Sequence, residues 1–146
     1  MGIGHELRGD DAAGIMAAQA LKPIFAQCQD VLVVDGGHAP ENQTSALRRF
    51  TPDLVLLIDA AQMGERSGTI RWLTGQAMNG LSASTHTIPL DVLTQYLNAE
   101  LGCEVALIGI QTAQLDIGSA LSPAVRRSVN ELVQSVSAIL KRANHR

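Results

Sequence analysis

The sequence has few cysteines and few aromatic side chains, and it carries no large excess of one charge. Cys28 and Cys103 are its two cysteines, and their separation lacks the CxxC spacing of a redox or zinc site. Lys and Arg total 11 against 14 for Asp and Glu, a net charge of −3, which excludes a broad basic surface for a phosphate backbone. One Trp, one Tyr and two Phe are too few for base-stacking platforms. A disulfide scaffold and a nucleic-acid-binding protein are therefore disfavoured.

Long apolar runs are also missing. No segment approaches the roughly eighteen apolar residues that a transmembrane helix needs, and the N-terminus lacks the pattern of a signal peptide. The cysteine usage fits a reducing compartment, so we expect a cytoplasmic protein. A length of 146 residues with 46% hydrophobic content predicts a single domain over 1–146 with its own core.

Short apolar runs predict strands. Residues 31–34, 54–58 and 105–110 are nearly continuous Val, Ile, Leu and Ala, which is typical of strands buried on both faces. Segments of helical period lie between them. This alternation predicts an α/β fold of three α/β/α layers, with a mixed, mostly parallel sheet of about five strands. Residues 68–74 alternate apolar with polar side chains and are predicted to form an antiparallel edge strand.

Three helices are indicated by their ends. The first begins at the acidic pair Asp10 and Asp11 and ends at Pro23, the second begins at Pro89, and the third follows Ser122 as its N-cap. The third ends in a basic turn, which suits the helix dipole. The predicted apolar faces are Ala13, Met16, Ala17, Ala20 and Leu21; Leu90, Leu93, Tyr96 and Leu97; and Val125, Val129, Leu132, Val136 and Ile139.

Polar residues at the ends of the predicted strands are the first candidates for chemistry, because ligands of open α/β sheets bind there. Asp59 and Asp35 each follow an apolar run, and His86 lies in a small polar loop. One acid of the Asp10–Asp11 pair suffices to cap the first helix, which leaves the other for a separate role. Two carboxylates and an imidazole at Asp11, Asp59 and His86 would suit a divalent transition metal. The alternative roles are a cap or turn residue for Asp59, a turn residue for Asp35 and a solvated loop residue for His86.

Other catalytic schemes find less support. The glycine loop at residues 2–4 resembles a phosphate-binding turn, but the adjacent carboxylates would repel a phosphate and the third glycine of a dinucleotide fingerprint is missing. A nucleotide-binding half-domain therefore remains a weaker alternative. The sequence contains neither a G-x-S-x-G elbow nor an H-E-x-x-H helix.

Five motifs in order resemble the maturation endopeptidases of nickel-iron hydrogenases, in particular the branch that processes the large subunit of hydrogenase 3. They are residues 2–11 (GIGHELRGDD), 35–42 (DGGHAPEN), 59–64 (DAAQMG), 85–89 (THTIP) and 109–111 (GIQ). The resemblance implies a cytoplasmic, aspartic-type, nickel-dependent endopeptidase. Such an enzyme removes the C-terminal extension from the large-subunit precursor after nickel insertion, and the nickel is supplied by the substrate.

The resemblance also implies the site residues. By motif, Asp11, Asp59 and His86 are the nickel contacts and the catalytic residues, and another divalent metal could occupy them in the isolated protein. We expect Asp35, Gly36 and Gly37 to contact the substrate tail. The sequence does not decide whether the metal or an aspartate activates water. A non-cleaving binding module or chaperone for the nickel-containing subunit would use the same residues and is the alternative function.

Two features depart from the family pattern. His5 stands where the family usually has Asn, and Ala12 stands where Gly is common. His5 is therefore either an added ligand or a neutral replacement. In the family an apolar strand precedes the glycine loop and lies mid-sheet, between the strands that end at Asp35 and Asp59. Met1 stands where that strand ends, so we expect an upstream start, a neighbouring molecule or a shifted strand to fill the gap.

Overall fold

The computed structural model describes residues 1–79, 81 and 88–144. Within these residues it contains a five-stranded sheet and four α-helices, which confirms the predicted α/β class. The elements are β1 (Gly2–Ile3), α1 (Ala13–Ile24), β2 (Asp35–Gly37), α2 (Thr44–Phe50), β3 (Leu54–Ala61), β4 (Ile70–Leu73), α3 (Leu90–Leu101), β5 (Glu104–Gln111) and α4 (Pro123–Ala143). Short 3-10 turns cover Gly9–Ala12, Pro40–Gln43 and Gly75–Met78.

The sheet has the strand order β2-β1-β3-β5-β4. The first four strands in this order are parallel, and β4 pairs with β5 in the antiparallel direction at the edge, as predicted for residues 68–74. One hydrophobic cluster joins α1 and α4 to one face of the sheet, and a second joins α2 and α3 to the other face. These two clusters produce the predicted three layers.

β1 lies mid-sheet between β2 and β3, which is the position expected for the strand before the glycine loop. The N–H of Gly2 donates to the carbonyl oxygen of Val34 at 2.9 Å, and the N–H of Ile58 donates to that of Met1 at 2.9 Å. The α-amino group of Met1 donates to the Leu56 carbonyl oxygen at 2.7 Å. Burial lowers the pKa of this amino group from 8.0 to about 5. A groove of about 570 Å³ runs beside Met1, lined in part by residues 31–34 and 54–56.

The predicted strand at residues 31–34 is wrong. The strand begins at Asp35 instead, so Asp35 opens β2 rather than following it. Leu32 is 40% exposed rather than buried on both faces. A strand needs a hydrogen-bonded neighbour, and β1 is only two residues long, so its bonds reach no further back than Val34. Similarly, Asp59 lies inside β3, which continues to Ala61, and not after it.

The helix predictions hold with local corrections. α1 ends at Ile24 with Pro23 inside its last turn, and the Phe25 N–H after the helix donates to the Leu21 carbonyl oxygen. Its buried face includes Gly14, Ile15 and Ala18, whereas Met16 and Ala20 are exposed. Tyr96 and Ile139 also lie outside the core, with 39% and 65% exposure. The short helix α2 carries too little periodicity to be predicted. None of the described helices has the length and apolarity needed to cross a bilayer.

Candidate active site

The loop after β1 wraps around Asp11. The backbone N–H of His5 donates to the Asp11 carboxylate at 2.9 Å and contacts the Asp11 carbonyl oxygen at 3.2 Å. Gly4 has φ +149°, and a Cβ at this position would lie 1.8 Å from the Asp11 carbonyl oxygen. Glycine is therefore required here, because any side chain would push the loop away from Asp11.

Asp59 lies at the same edge of the sheet. Its neighbour Ile58 is the register partner of Gly2, so Asp59 stands level with the end of β1. The turn Gly9–Ala12, which carries Asp11, packs against β3. Both Asp11 and Asp59 have 0% exposure. Burial of two carboxylates is costly unless hydrogen bonds or a cation stabilise them, and Asp11 accepts one such bond from the His5 N–H.

Asp11 and Asp59 supply hard oxygen donors, which are part of the donor set predicted for a divalent transition metal. His86, the predicted imidazole donor, lies outside the described residues, and its placement stays a prediction. Among residues 1–79, 81 and 88–144, no group of three His, Cys, Asp or Glu side chains is arranged to hold a metal ion. A metal site at Asp11, Asp59 and His86 therefore stays a prediction.

Asp10 points away from Asp11 and has a different role. Its carboxylate accepts from the N–H groups of Ala113 and Gln114, both at 2.8 Å, and from the N–H and Oγ of Ser122 at 2.6 and 2.9 Å. The expectation that one of the two acids caps the first helix is wrong, since no side-chain cap is formed there. Asp10 instead accepts hydrogen bonds from Ser122, the residue that precedes α4. Ser122 is the predicted N-cap by position, but its hydroxyl donates to Asp10.

The predicted substrate loop is joined to the glycine loop. The Gly37 carbonyl oxygen accepts from the Gly4 N–H at 2.9 Å, and the Gly37 N–H donates to Asp35 Oδ1 at 3.0 Å. Asp35 is exposed and uses part of its carboxylate in this turn, while Gly36 is buried against β1. Gly37 has φ +54°, a conformation that favours glycine. All three residues lie at the edge that holds Asp11, and their contact with substrate stays a prediction.

The His5 imidazole is engaged in a local hydrogen bond. Its Nδ1 accepts from the Leu7 N–H at 3.2 Å. A neutral ring in this arrangement carries its proton on Nε2, which is then a hydrogen-bond donor rather than a metal ligand. The rings of His5 and the exposed His38 lie 5.6 Å apart. The geometry therefore favours His5 as a neutral replacement over His5 as an added ligand.

Gln111 is a functional candidate to which the sequence pattern assigned no role. This buried amide ends β5, and its Oε1 accepts from the N–H groups of Met63 at 2.7 Å and Glu65 at 3.3 Å. Its Nε2 donates to Gln62 Oε1 at 2.9 Å. These bonds fix the loop that follows Asp59. A polar residue at the end of an otherwise apolar strand was the available signal.

The cysteines take no part in this edge of the sheet. Cys103 is buried in the cluster beneath α3, and burial raises the pKa of its thiol. A raised pKa opposes the thiolate form that a cysteine nucleophile needs.

Comparison with known proteins gives consistent matches. The family model for HycI, described as hydrogenase maturation protease, matches residues 15–139. The hydrogenase 3 maturation protease of Escherichia coli strain K12 is 36% identical over 110 residues, covering 75% of this chain and 69% of that protein. The crystal structure of a [NiFe] hydrogenase maturation protease HycI from Thermococcus kodakarensis KOD1 superposes with a TM-score of 0.86 and 31% identity, covering 96% of this chain and 89% of that one. The solution structure of an endopeptidase HycI from Escherichia coli gives a TM-score of 0.77 and 29% identity, covering 94% and 86%.

Proposed function

The chain belongs to the hydrogenase maturation protease family, and on this premise we propose that it removes the C-terminal extension from the nickel-loaded precursor of a nickel-iron hydrogenase large subunit. The observation that supports the proposal is the presence of two fully buried carboxylates, Asp59 inside β3 and Asp11 in the turn Gly9–Ala12 that packs against β3. The protein acts in the cytoplasm in this proposal.

Recognition uses the nickel that the precursor already holds. Asp11 and Asp59 offer carboxylate oxygens to the nickel, and His86 offers an imidazole nitrogen. Docking the metal brings the adjacent peptide bond to the site and holds it there, so the reaction becomes effectively intramolecular. A precursor without nickel lacks this anchor. Its peptide is then not positioned near the attacking water.

Cleavage is a hydrolysis. The oxygen of water attacks the scissile carbonyl carbon, the C–N bond breaks, and a proton passes to the leaving amine. Two routes assist the attack: an aspartate accepts the proton of the water as general base, or the nickel polarises the scissile carbonyl and makes its carbon more electrophilic. We expect the Asp35–Gly37 segment, which is bonded to Gly4 of the glycine loop, to contact the substrate tail.

The test is an incubation of purified protein with nickel-loaded and nickel-free precursor, followed by mass spectrometry of the precursor. We expect loss of the C-terminal extension from the nickel-loaded form alone. Cleavage of both forms would remove nickel as the recognition element. Binding of the nickel-loaded form without cleavage would favour the chaperone function. A nucleotide-binding function is opposed by the carboxylates at the glycine loop, and failure to bind nucleotides would exclude it.

A further inference from the structure

Asp10 is a buried carboxylate that the proposed reaction does not use. It has 0% exposure, and its four hydrogen bonds come from neutral donors. Hydrogen bonds to a carboxylate are stronger than bonds between neutral groups. The Asp10 carboxylate therefore holds its four donor groups in place.

The partners of Asp10 come from separate parts of the chain. Ala113 and Gln114 follow β5, and Ser122 precedes α4. The Asp10 N–H also donates to the Gln114 carbonyl oxygen at 2.7 Å. A Cβ on Gly9 would lie 2.5 Å from the same oxygen, so the turn is seated closely against this connection. The N-terminal end of the long helix α4 adds a favourable dipole for the negative charge.

Asp10 and Asp11 project to opposite sides of one turn. Asp10 reaches the β5–α4 connection, whereas Asp11 reaches the His5 N–H in the glycine loop. Asp10 therefore joins the turn that carries Asp11 to the β5–α4 connection. We propose that Asp10 is a positioning residue for Asp11, with Ser122 as the side chain that completes the anchor. Its effect on nickel docking rests on the proposed function, but the anchoring of Asp11 does not.

The experiment compares three serine variants of the full chain. Ser122→Ala removes the hydroxyl donor to Asp10, and Ser122→Thr retains it. Ser128→Ala is the matched control, because this buried serine also lies in the α4 region but donates to Gly68 and Ala124 instead. Asp10→Asn is a stronger variant, because its amide cannot accept from both the N–H and the hydroxyl of Ser122 as the carboxylate does.

The first measurement is hydrogen exchange of the His5 amide, which reports the bond to Asp11 directly. We expect Ser122→Ala and Asp10→Asn to raise its exchange rate about tenfold, as loss of a supporting hydrogen bond implies. Ser122→Thr and Ser128→Ala should leave the rate unchanged. An unchanged rate in both Ser122→Ala and Asp10→Asn overturns the proposal, and so does an equal rise in Ser128→Ala.

The second measurement is the kinetics of precursor processing, at a temperature where circular dichroism finds each variant folded. We expect kcat/KM of Ser122→Ala to fall about tenfold, by analogy with groups that orient metal ligands, and Ser122→Thr to restore it. A fall matched by Ser128→Ala would indicate general destabilisation and overturn the positioning role. If the unaltered protein does not process precursor, the proposed function fails, while the exchange result still decides whether Asp10 positions Asp11.

Discussion

The backbone N–H of His5 donates to the side-chain carboxylate of Asp11 at 2.9 Å, across a separation of six residues. This bond closes the glycine loop onto the turn Gly9–Ala12. It uses the backbone of His5 and not its imidazole. The carboxylate of Asp11 is therefore held by a backbone group of His5. The close approach of the loop also requires glycine at position 4, because a Cβ there would lie 1.8 Å from the Asp11 carbonyl oxygen.

Substitution of Asp59 or His86 by Ala is expected to abolish precursor processing and leave the fold intact. Removal of an acid–base group or a docking ligand lowers the rate by about 100-fold or more. Processing is measured by mass spectrometry and folding by circular dichroism. Asp30→Ala, at an exposed position before β2, is the control. Normal processing by a variant would remove that residue from the site.

His5→Asn introduces the residue that the family usually carries at this position. The tether to Asp11 uses the backbone N–H, so it should survive the substitution. We expect kcat to stay within about threefold of the unaltered protein, as for a residue that makes no contact specific to the transition state. A loss of more than tenfold would instead identify the imidazole as a ligand.

Gly14→Ala is expected to destabilise the protein although Ala is the better helix former by about 1 kcal/mol. A Cβ on Gly14 would lie 2.1 Å from the Ile58 carbonyl oxygen and 2.4 Å from that of Ile3. α1 must then move away from β1 and β3, at a cost of roughly 1–3 kcal/mol or more. Urea unfolding measures the change. Gln19→Ala, at an exposed position of the same helix, should stay within about 0.5 kcal/mol.

Gln111→Leu should lower the free energy of unfolding by about 2–4 kcal/mol, because it leaves the N–H groups of Met63 and Glu65 without their acceptor. Gln62→Leu removes the exposed amide that accepts from Gln111 Nε2. It should lower the free energy of unfolding by about 1 kcal/mol or less. Denaturant titration of both variants provides the comparison. Equal costs would contradict the central position of Gln111 in this loop.

The stability of the 146-residue chain is expected to rise between about pH 5 and pH 8. Burial lowers the pKa of the Met1 amino group from 8.0 to about 5, so in this window the unfolded chain binds more protons than the folded chain. The full change is up to about 4 kcal/mol, present above pH 8 and lost as the pH falls towards 5. Urea unfolding across this range measures the slope.

The matched control for this pH dependence is a variant with an apolar strand added before Met1, which replaces the buried amine by a peptide bond. Its slope in this window should be smaller, and the added residues should fill the groove beside residues 31–34 and 54–56. A flat profile for the 146-residue chain would contradict the lowered pKa.

Much of the fold could be predicted because its signals are local. The run at residues 105–110 is buried on both faces as β5, and the helical spacing from Val125 to Leu132 buries one face of α4. Such patterns need only the chain's own periodicity and the free energy of burying apolar surface. The order of the five motifs along the chain likewise identifies the family.

The roles of neighbouring acids depended on contacts that the sequence does not contain. Asp10 and Asp11 are indistinguishable as residue types, yet one anchors the start of α4 and the other faces the glycine loop. Residues 31–34 have strand composition but no strand, because pairing depends on what lies alongside. The sequence alone determined the layers and the family. Only the tertiary structure decided that Asp10 binds the β5–α4 connection, because hydrogen bonds between residues more than 100 positions apart exist only in the folded chain.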